Sequence, residues 1–198
     1  LLGYLYFQTK DFARAESYLT AAIDLDSHNK QALTLLGRTR MEREHYSDAR
    51  LVLEQAVLVD AENWLPHNLL ATAHFREKNY DKACTEARLA LEKARQSGVG
   101  TVASAQLVLG ESLIGLGQDQ EGIQVLKLFL EQAPHHSMTG QVRGLLAELE
   151  ARPRTSADSQ AAQSQAHVTV VDPLAAIPEP VISADIWRIP NVDEIKPL

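Results

Sequence analysis

The sequence is poor in several features, and each shortage excludes a class of protein. One cysteine in 198 residues cannot form an internal disulfide. The 19 Lys and Arg residues are outnumbered by 26 Asp and Glu, a net charge of −7 that argues against a phosphate-binding surface and so against nucleic acid as a partner. No apolar run approaches the roughly 20 residues of a membrane span. The 45% of hydrophobic residues is nevertheless enough for a folded core.

A repeat of about 34 residues appears when the chain is aligned with itself. Three copies begin LLGYLYFQTK, LLGRTRMERE and LLATAHFREK, which places Leu2, Leu36 and Leu70 in one column. Small residues form three further columns: Gly3, Gly37 and Ala71; Ala15, Ala49 and Ala83; Ala22, Ala56 and Ala90. A fourth copy begins at LVLGESLIGL and arrives a few residues late. Gly98 and Gly100 mark an inserted turn that would absorb this slip.

Each copy is predicted to form two antiparallel helices joined by a short turn. Glycine or alanine is needed where the two helices of one hairpin approach most closely, and the late alanine leaves room for the next hairpin. Tyr or Phe at the turn fills the space between the helices: Phe12, Tyr46 and Tyr80. Because one hairpin cannot bury its apolar face alone, about three or more must stack.

These columns resemble the tetratricopeptide-repeat family over about residues 1–136. In the fourth copy Gly122 and Phe129 replace the two expected alanines, although Pro134 stands at the family's proline position. The resemblance implies an all-α, right-handed superhelical solenoid of about four helical hairpins. The hairpins are predicted at residues 1–29, 30–63, 64–97 and 103–136.

A further amphipathic helix is predicted at residues 138–151, closing an array that covers residues 1–150. Its apolar face would carry Val142, Leu145, Leu146 and Leu149. Such a helix suits the terminal cap that repeat arrays need. At the other end, the family unit begins several residues before its Leu-Gly pair, so we expect this sequence to be a fragment of a longer protein.

Residues 152–198 have a different composition, in which Ser, Gln and Ala give way to apolar residues among prolines. The prolines disfavour long regular helices, and the opening stretch is typical of a flexible connector. Two interpretations stay open. The segment is a linker to another domain, or it is an extended tail anchored on the array. The anchors would be Ile182, Ile186, Trp187 and Ile189.

In the family, the first helices of successive units line a concave groove that holds extended peptides or helices. The resemblance implies the same groove here, at positions contributed by all four copies. These are Tyr4, Phe7, Gln8, Gln31, Thr34, Arg38, Met41, Glu42, Leu65, Asn68, Thr72, Phe75, Arg76, Ser104, Leu107, Glu111, Ile114 and Gly115. One column, which we call the apolar column, is apolar in every copy: Phe7, Met41, Phe75 and Ile114. An exposed apolar row on a concave surface is typical of a binding site. The alternative is that these four side chains cover one another or are covered by the tail.

Candidate catalytic and metal-binding groups fall short of a site. His135 and His136 are adjacent, so their side chains diverge, and a solvated turn is expected. His67 and His74 share a helix face without a carboxylate on it, and His74 stands at a packed position of the family. Cys84 has no histidine placed to activate it and is interpreted as a packing residue. No enzyme, cofactor or metal site is predicted.

The predicted function is a non-catalytic protein–protein interaction module that binds a peptide or helix in a concave, largely apolar groove. Arg38, Arg76, Asn68 and Gln31 would orient the ligand at the rim. The family's clamp for acidic chaperone tails needs a combination of Lys, Arg and Asn that the concave positions lack. The alternative is a structural spacer whose groove is covered by its own tail and which links to another domain, for which a catalytic domain is one candidate.

Overall fold

The structure, a computed structural model, describes residues 1–100 and 102–151. Within these residues the chain forms nine α-helices and no strand, so the all-α prediction is confirmed. In chain order they are α1 (Leu2–Gln8), α2 (Phe12–Leu25), α3 (Lys30–Glu42), α4 (Tyr46–Val59), α5 (Trp64–Arg76), α6 (Tyr80–Gln96), α7 (Ala103–Gly115), α8 (Asp119–Gln132) and α9 (Thr139–Ala151).

The helices stack as hairpins in chain order, and each touches only near neighbours, as expected of a solenoid. The hairpins are α1–α2, α3–α4, α5–α6 and α7–α8, and α9 packs against α8. The first helices of successive hairpins also contact one another, from α1 to α3, α3 to α5 and α5 to α7. The second helices make no such contacts in the described chain. The array therefore curves with its first helices on the inside.

The glycine column lies at the closest approach of the two helices of a hairpin. A β-carbon on Gly37 would lie 2.5 Å from Leu53 Cγ, and one on Gly110 would lie 2.6 Å from Leu126 Cγ. Both leucines are fully buried. A side chain fits at these two points only if the facing leucine moves, whereas the third hairpin accommodates Ala71 in the same column.

The turn within each hairpin contains one residue in the left-handed backbone region. Lys10, Glu44 and Lys78 have φ near 60°, and Gly117 has φ 76° at the same point of the fourth hairpin. A left-handed residue after a helix lets the backbone satisfy the last carbonyls and reverse direction. Only the fourth hairpin uses the residue type that adopts this geometry without strain.

The inserted residues before the fourth copy are partly absorbed by a longer helix. α6 has 17 residues, whereas α2, α4 and α8 have 14 each. Gly98 then ends it with φ 70°. The sequence predicted that an inserted turn at Gly98 and Gly100 absorbs the slip; the structure has the turn at Gly98, but Ala94 to Gln96 take up part of the slip by continuing the helix.

α9 lies on α8 through Phe129, which is completely buried and packs with Val142 and Leu146. The phenylalanine thus fills the space that alanine leaves open in the other hairpins. His136 stacks edge-on against Phe129 at 5.2 Å between ring centroids, and its Nδ1 accepts a hydrogen bond from the Met138 amide. The expectation of a fully solvated histidine pair was therefore wrong for His136, although His135 is exposed.

Candidate functional site

An open cleft of about 1280 Å³ lies on the inner face of the first hairpins. It extends from α1 and α2 across α3 to the start of α5. Seven of its lining residues are positions predicted for the groove: Tyr4, Phe7, Gln8, Gln31, Thr34, Arg38 and Leu65. The other lining groups are mostly apolar side chains of α1 and α2, so the cleft is a concave, largely apolar surface.

Phe7 and Arg38 both line this cleft and contact each other. The guanidinium carbon of Arg38 lies 4.9 Å from the centroid of the Phe7 ring, within range of a cation–π interaction. Phe7 also packs against Phe12 at the hairpin turn, with ring centroids 5.7 Å apart. The cleft therefore presents a positive charge held over an aromatic surface.

The apolar column is half-buried at each of its four positions. Phe75 packs against Tyr80, with 5.9 Å between ring centroids, and Tyr80 in turn lies over Gly115 of the next hairpin. Met41 and Ile114 likewise each rest on a buried core cluster beneath them. These residues thus support the hairpins with one side and leave the other side accessible on the inner face.

One predicted rim residue, Asn68, and one predicted groove residue, Thr34, are buried. Asn68 is 7% exposed, and its amide donates a hydrogen bond to the Ser104 hydroxyl at 2.9 Å. Thr34 is 8% exposed, and its hydroxyl donates to the Lys30 carbonyl at 2.8 Å. The expectation that Asn68 orients a ligand at the rim does not match this geometry, since the amide joins two hairpins.

Lys30 contributes to the cleft although no lysine was expected there. Its ammonium group lies 3.2 Å from Asp60 Oδ2, so most of its charge is balanced within the protein. Arg38 is the second positive group that lines the cleft.

Glu111 and Arg76 give the far end of the inner face a different charge pattern. Burial raises the pKa of the Glu111 carboxyl, an effect that the positive charge of Arg76 partly opposes. No ion pair within 4.0 Å joins these two residues in the described part of the chain. Glu111 thus bears a partly desolvated negative charge.

A histidine pair lies in the third hairpin, away from the cleft. His67 Nδ1 is 2.7 Å from Glu86 Oε2 of α6, a carboxylate that the sequence analysis did not place there. His74 is 5% exposed, and its Nδ1 has no hydrogen-bond partner. Burial, helped by Lys82 and Arg50, lowers the pKa of His74. The packed histidine was expected. No three metal-ligating side chains come together within residues 1–100 and 102–151.

Cys84 is buried between α6 and α7, where it packs with Ala87 and Leu113. Burial raises the pKa of its thiol. A buried thiol with a raised pKa is a poor nucleophile, so the geometry agrees with a packing role.

The cleft also contains exposed apolar residues that sequence reasoning placed in the core or overlooked. Leu2 is 50% exposed, whereas Leu36 and Leu70 of the same column are 2% and 3% exposed. Leu36 is covered by α2 of the preceding hairpin, with which it shares a buried cluster. Leu25, also in the cleft, is 91% exposed. The repeat pattern alone cannot distinguish covered columns from uncovered ones.

Comparison with known proteins defines the class. Residues 6–71 match the family model of the tetratricopeptide repeat. The resemblance to this family is thereby confirmed over residues 6–71, and the hairpins of the described residues stack as an all-α solenoid of the same fold. No curated protein sequence matches it significantly. None of the described helices is both long and apolar enough to cross a membrane.

Several solved structures share the fold. The crystal structure of MamA aligns with a TM-score of 0.66 and 21% identity, covering 82% of this chain and 90% of MamA. YrrB, described as a TPR protein with an unusual peptide-binding site, aligns with a TM-score of 0.62 and 22% identity over 76% of this chain and 75% of its own. The first TPR domain of Spaghetti (RPAP3), bound to the HSP90 peptide SRMEEVD, aligns with a TM-score of 0.54 and 20% identity over 70% and 96%.

Proposed function

We propose that this protein is a non-catalytic interaction module that binds a peptide or helix segment of a partner protein on its inner face. The observation that carries this proposal is the open cleft formed by Tyr4, Phe7, Arg38 and their neighbours. A concave apolar surface with a few fixed polar groups is the usual form of a binding site. The peptide complexes of Spaghetti and the peptide-binding site ascribed to YrrB support the general class.

In this proposal, apolar side chains of the ligand fill the cleft between Phe7, Tyr4 and Leu65. Burial of aromatic and aliphatic groups supplies most of the binding free energy in such pockets. Arg38, held over the Phe7 ring, would orient the ligand by donating hydrogen bonds to its carbonyl or carboxylate oxygens. Further along, the accessible sides of Met41, Phe75 and Ile114 extend the apolar surface.

The ligand we propose is not the acidic end of a chaperone. A carboxylate clamp requires several cations facing one point, but Lys30 is paired with Asp60 and Asn68 is bonded to Ser104. A largely apolar segment suits this surface better than a strongly acidic one.

The test begins by selecting 12-residue peptides from a random displayed library on the full chain and measuring the affinity of the best binder. We expect Phe7→Ala and Phe75→Ala each to weaken binding by about 1–3 kcal/mol, since aromatic side chains at the centre of interfaces carry most of the energy. Leu58→Ala is the matched control, because Leu58 is 85% exposed on α4, outside the cleft.

Circular dichroism confirms that each variant keeps its helicity. Unchanged affinity in both phenylalanine variants would refute the proposed site. Equal losses in all three variants would show that binding is not confined to the inner face.

The alternative is a structural spacer whose inner face is covered by its own tail. What favours it is that every member of the apolar column keeps an accessible side. The four predicted tail anchors, Ile182, Ile186, Trp187 and Ile189, lie outside the described residues. The same peptide selection separates the two functions, since a permanently covered groove would yield no binder.

A further inference from the structure

The helix α7 carries a single ionisable side chain, the carboxylate of Glu111. The helix reads ASAQLVLGESLIG, and its other side chains are apolar, small or neutral. Leu107 lies four residues before Glu111 and Ile114 three residues after it, so the three side chains share one face of the helix. All three are half-buried members of the predicted groove. Glu111 is thus a carboxylate set between two accessible apolar side chains.

No group in the described part of the chain lies close enough to neutralise this carboxylate. Glu111 accepts no hydrogen bond there and forms no ion pair. Burial raises its pKa, and the field of Arg76, on the neighbouring α5, opposes this effect only in part. Glu16 is also partly buried, but Arg40 and Arg43 outweigh its burial and lower its pKa. Glu111 has therefore lost hydration without gaining a partner.

The position of Glu111 in the repeat gives the inner face a charge pattern. The equivalent residues of the first three hairpins are Tyr4, Arg38 and Thr72, all half-buried, and each precedes a member of the apolar column by three residues. Thr72 is neutral, and its hydroxyl donates a hydrogen bond to the Asn68 carbonyl. In this column the inner face has a positive charge on α3 and a negative charge on α7, with a neutral residue between them.

A lysine or arginine of a ligand would satisfy the Glu111 carboxylate. A hydrogen bond between ionised groups is about twice as strong as one between neutral groups. An acidic ligand residue at the same point would bring two like charges together, which opposes binding. At Arg38 the preference is reversed, because its permanent positive charge repels a ligand cation whatever else Arg38 contacts. The net charge of −7 also favours the approach of a basic segment.

We propose that Glu111 determines the specificity of the inner face, and that the partner is a largely apolar segment whose lysine or arginine pairs with the Glu111 carboxylate. Apolar residues of the same segment cover the accessible sides of Leu107 and Ile114. The basic residue lies over α7, and the part of the ligand nearest Arg38 carries no cation. The proposal rests on the proposed function, because it assumes that the inner face binds a segment of a partner protein.

Peptide selection on the full chain tests the proposal. Random displayed 12-residue peptides are selected in parallel on wild type and on Glu111→Arg, and circular dichroism checks that the variant keeps its helicity. We expect Lys or Arg to be enriched at one position of the wild-type binders, and Asp or Glu to replace it in the binders of Glu111→Arg. A synthetic version of the best wild-type binder should bind Glu111→Gln about tenfold less tightly, since one partner of a partly buried charge pair is lost.

A neutral substitution in the peptide completes a double-mutant cycle. Replacing the enriched Lys or Arg of the synthetic peptide by Gln should weaken binding to wild type about tenfold, but should have little effect on binding to Glu111→Gln. This coupling distinguishes a direct contact from a general disturbance of α7. Glu131→Gln is the matched control, because Glu131 is an exposed carboxylate on α8, the second helix of the same hairpin.

Arg76→Gln distinguishes a basic ligand from an acidic one at this end of the inner face. A basic peptide should bind this variant at least as tightly as wild type, because a positive charge that acts on Glu111 is removed. Weaker binding would show that the ligand presents an acidic group there, and it would overturn the proposal.

Two further results would overturn it: binders without an enriched Lys or Arg, and equal affinity of the best binder for wild type and Glu111→Gln. If those peptides still depend on Phe7, the proposed function survives. No binder at all, the result expected of an inner face covered by the tail or by a second copy of the chain, would refute both proposals.

Discussion

Successive hairpins meet at junctions, of which the first joins α2 to α3 and the third joins α6 to α7. The same two repeat positions face each other at both junctions, but their side chains are charged at the first and apolar at the third. Glu16 of α2 and Cys84 of α6 stand at equivalent positions of the repeat, each facing the first helix of the next hairpin. Glu16 accepts a 2.8 Å hydrogen bond from Arg40 and also pairs with Arg43. Cys84 packs instead against Leu113, the residue equivalent to Arg40. The first junction is ionic at this point, and the third is apolar.

The second junction is intermediate. Arg50, equivalent to Glu16, lies 3.5 Å from Glu77, which also accepts a 2.6 Å hydrogen bond from Ser47. His74, equivalent to Arg40, is buried nearby with an unpaired nitrogen 4.0 Å from Glu77. This arrangement is polar but incompletely bonded.

The difference shows that stacking does not depend on one chemistry at this position. Small residues and leucines provide the shape at every junction, while the facing pair is free to be charged or apolar. A partly buried ion pair contributes little over an apolar contact, because desolvation offsets most of its attraction. It does, however, make stability depend on pH. Sensitivity to acid should therefore concentrate in the first two junctions.

The largest expected effect on stability concerns the contact between α8 and α9, where Phe129 is buried. Phe129→Ala should lower the free energy of unfolding by about 3–5 kcal/mol, because it leaves a cavity where a fully buried ring packs against α9. Urea denaturation followed by circular dichroism measures the loss. A loss below about 1 kcal/mol would contradict the packing role of this ring.

The second-largest expected effect on stability concerns the ion pairs of Glu16 at the first junction. Glu16→Gln should cost about 2 kcal/mol at pH 7, because two arginines lose a charged partner that is 20% exposed. Burial would raise the pKa of Glu16, but Arg40 and Arg43 outweigh it and hold the pKa below its ordinary value of 4.5. The pair therefore stabilises the fold above that value, and its contribution disappears as pH falls through the lowered pKa. The difference between wild type and variant should shrink toward pH 3. A difference independent of pH would contradict the assignment.

An apolar residue in place of His74 at the second junction should raise the free energy of unfolding. His74→Leu, which copies Leu113, should stabilise the protein by about 1 kcal/mol at pH 8, since it removes a buried unpaired nitrogen. Because the pKa of His74 is lowered in the folded state, the unfolded chain takes up the proton first. Wild type should therefore lose stability as pH falls below about 6.5, and the variant should lose less. If the free energies of unfolding of the two proteins changed in parallel with pH, His74 would not be the cause of the loss of stability in acid.

The smallest expected effect on stability concerns the left-handed residue in the turn of the third hairpin. Lys78→Gly should stabilise the third hairpin by about 0.5 kcal/mol, because glycine adopts the left-handed backbone at this position without strain. Thermal unfolding measures it, with Lys82→Gly in the helical part of α6 as a destabilising control. A destabilised Lys78→Gly protein would mean that unfolded-chain entropy outweighs the relief of strain.

The features that the sequence predicted well are those written into every copy. The Leu-Gly pair, the alanines and the turn aromatic each make contacts within a hairpin or with its neighbour, so a column reports a contact directly. Gly37 against Leu53 is one example. Seven groove positions line the cleft for the same reason, because curvature places the first helices inside at every repeat.

The features that the sequence did not predict depend on contacts between two residues that occur in one repeat only. Asn68 is buried because Ser104 happens to stand opposite it, and Glu86 reaches His67 from another helix. Leu2 is 50% exposed although Leu36 and Leu70 of the same column are buried, a difference that the column itself cannot show. The left-handed turns at Lys10, Glu44 and Lys78 use ordinary residues, so they left no signal.

The most direct test of the central claim, that the inner face is the binding surface, is an NMR titration of the full chain with a selected peptide. We expect the largest amide shift changes around Phe7, Arg38 and Leu65, and none along α4, which contributes nothing to the cleft. Shift changes concentrated on α4 and α6, with the cleft unaffected, would contradict the claim.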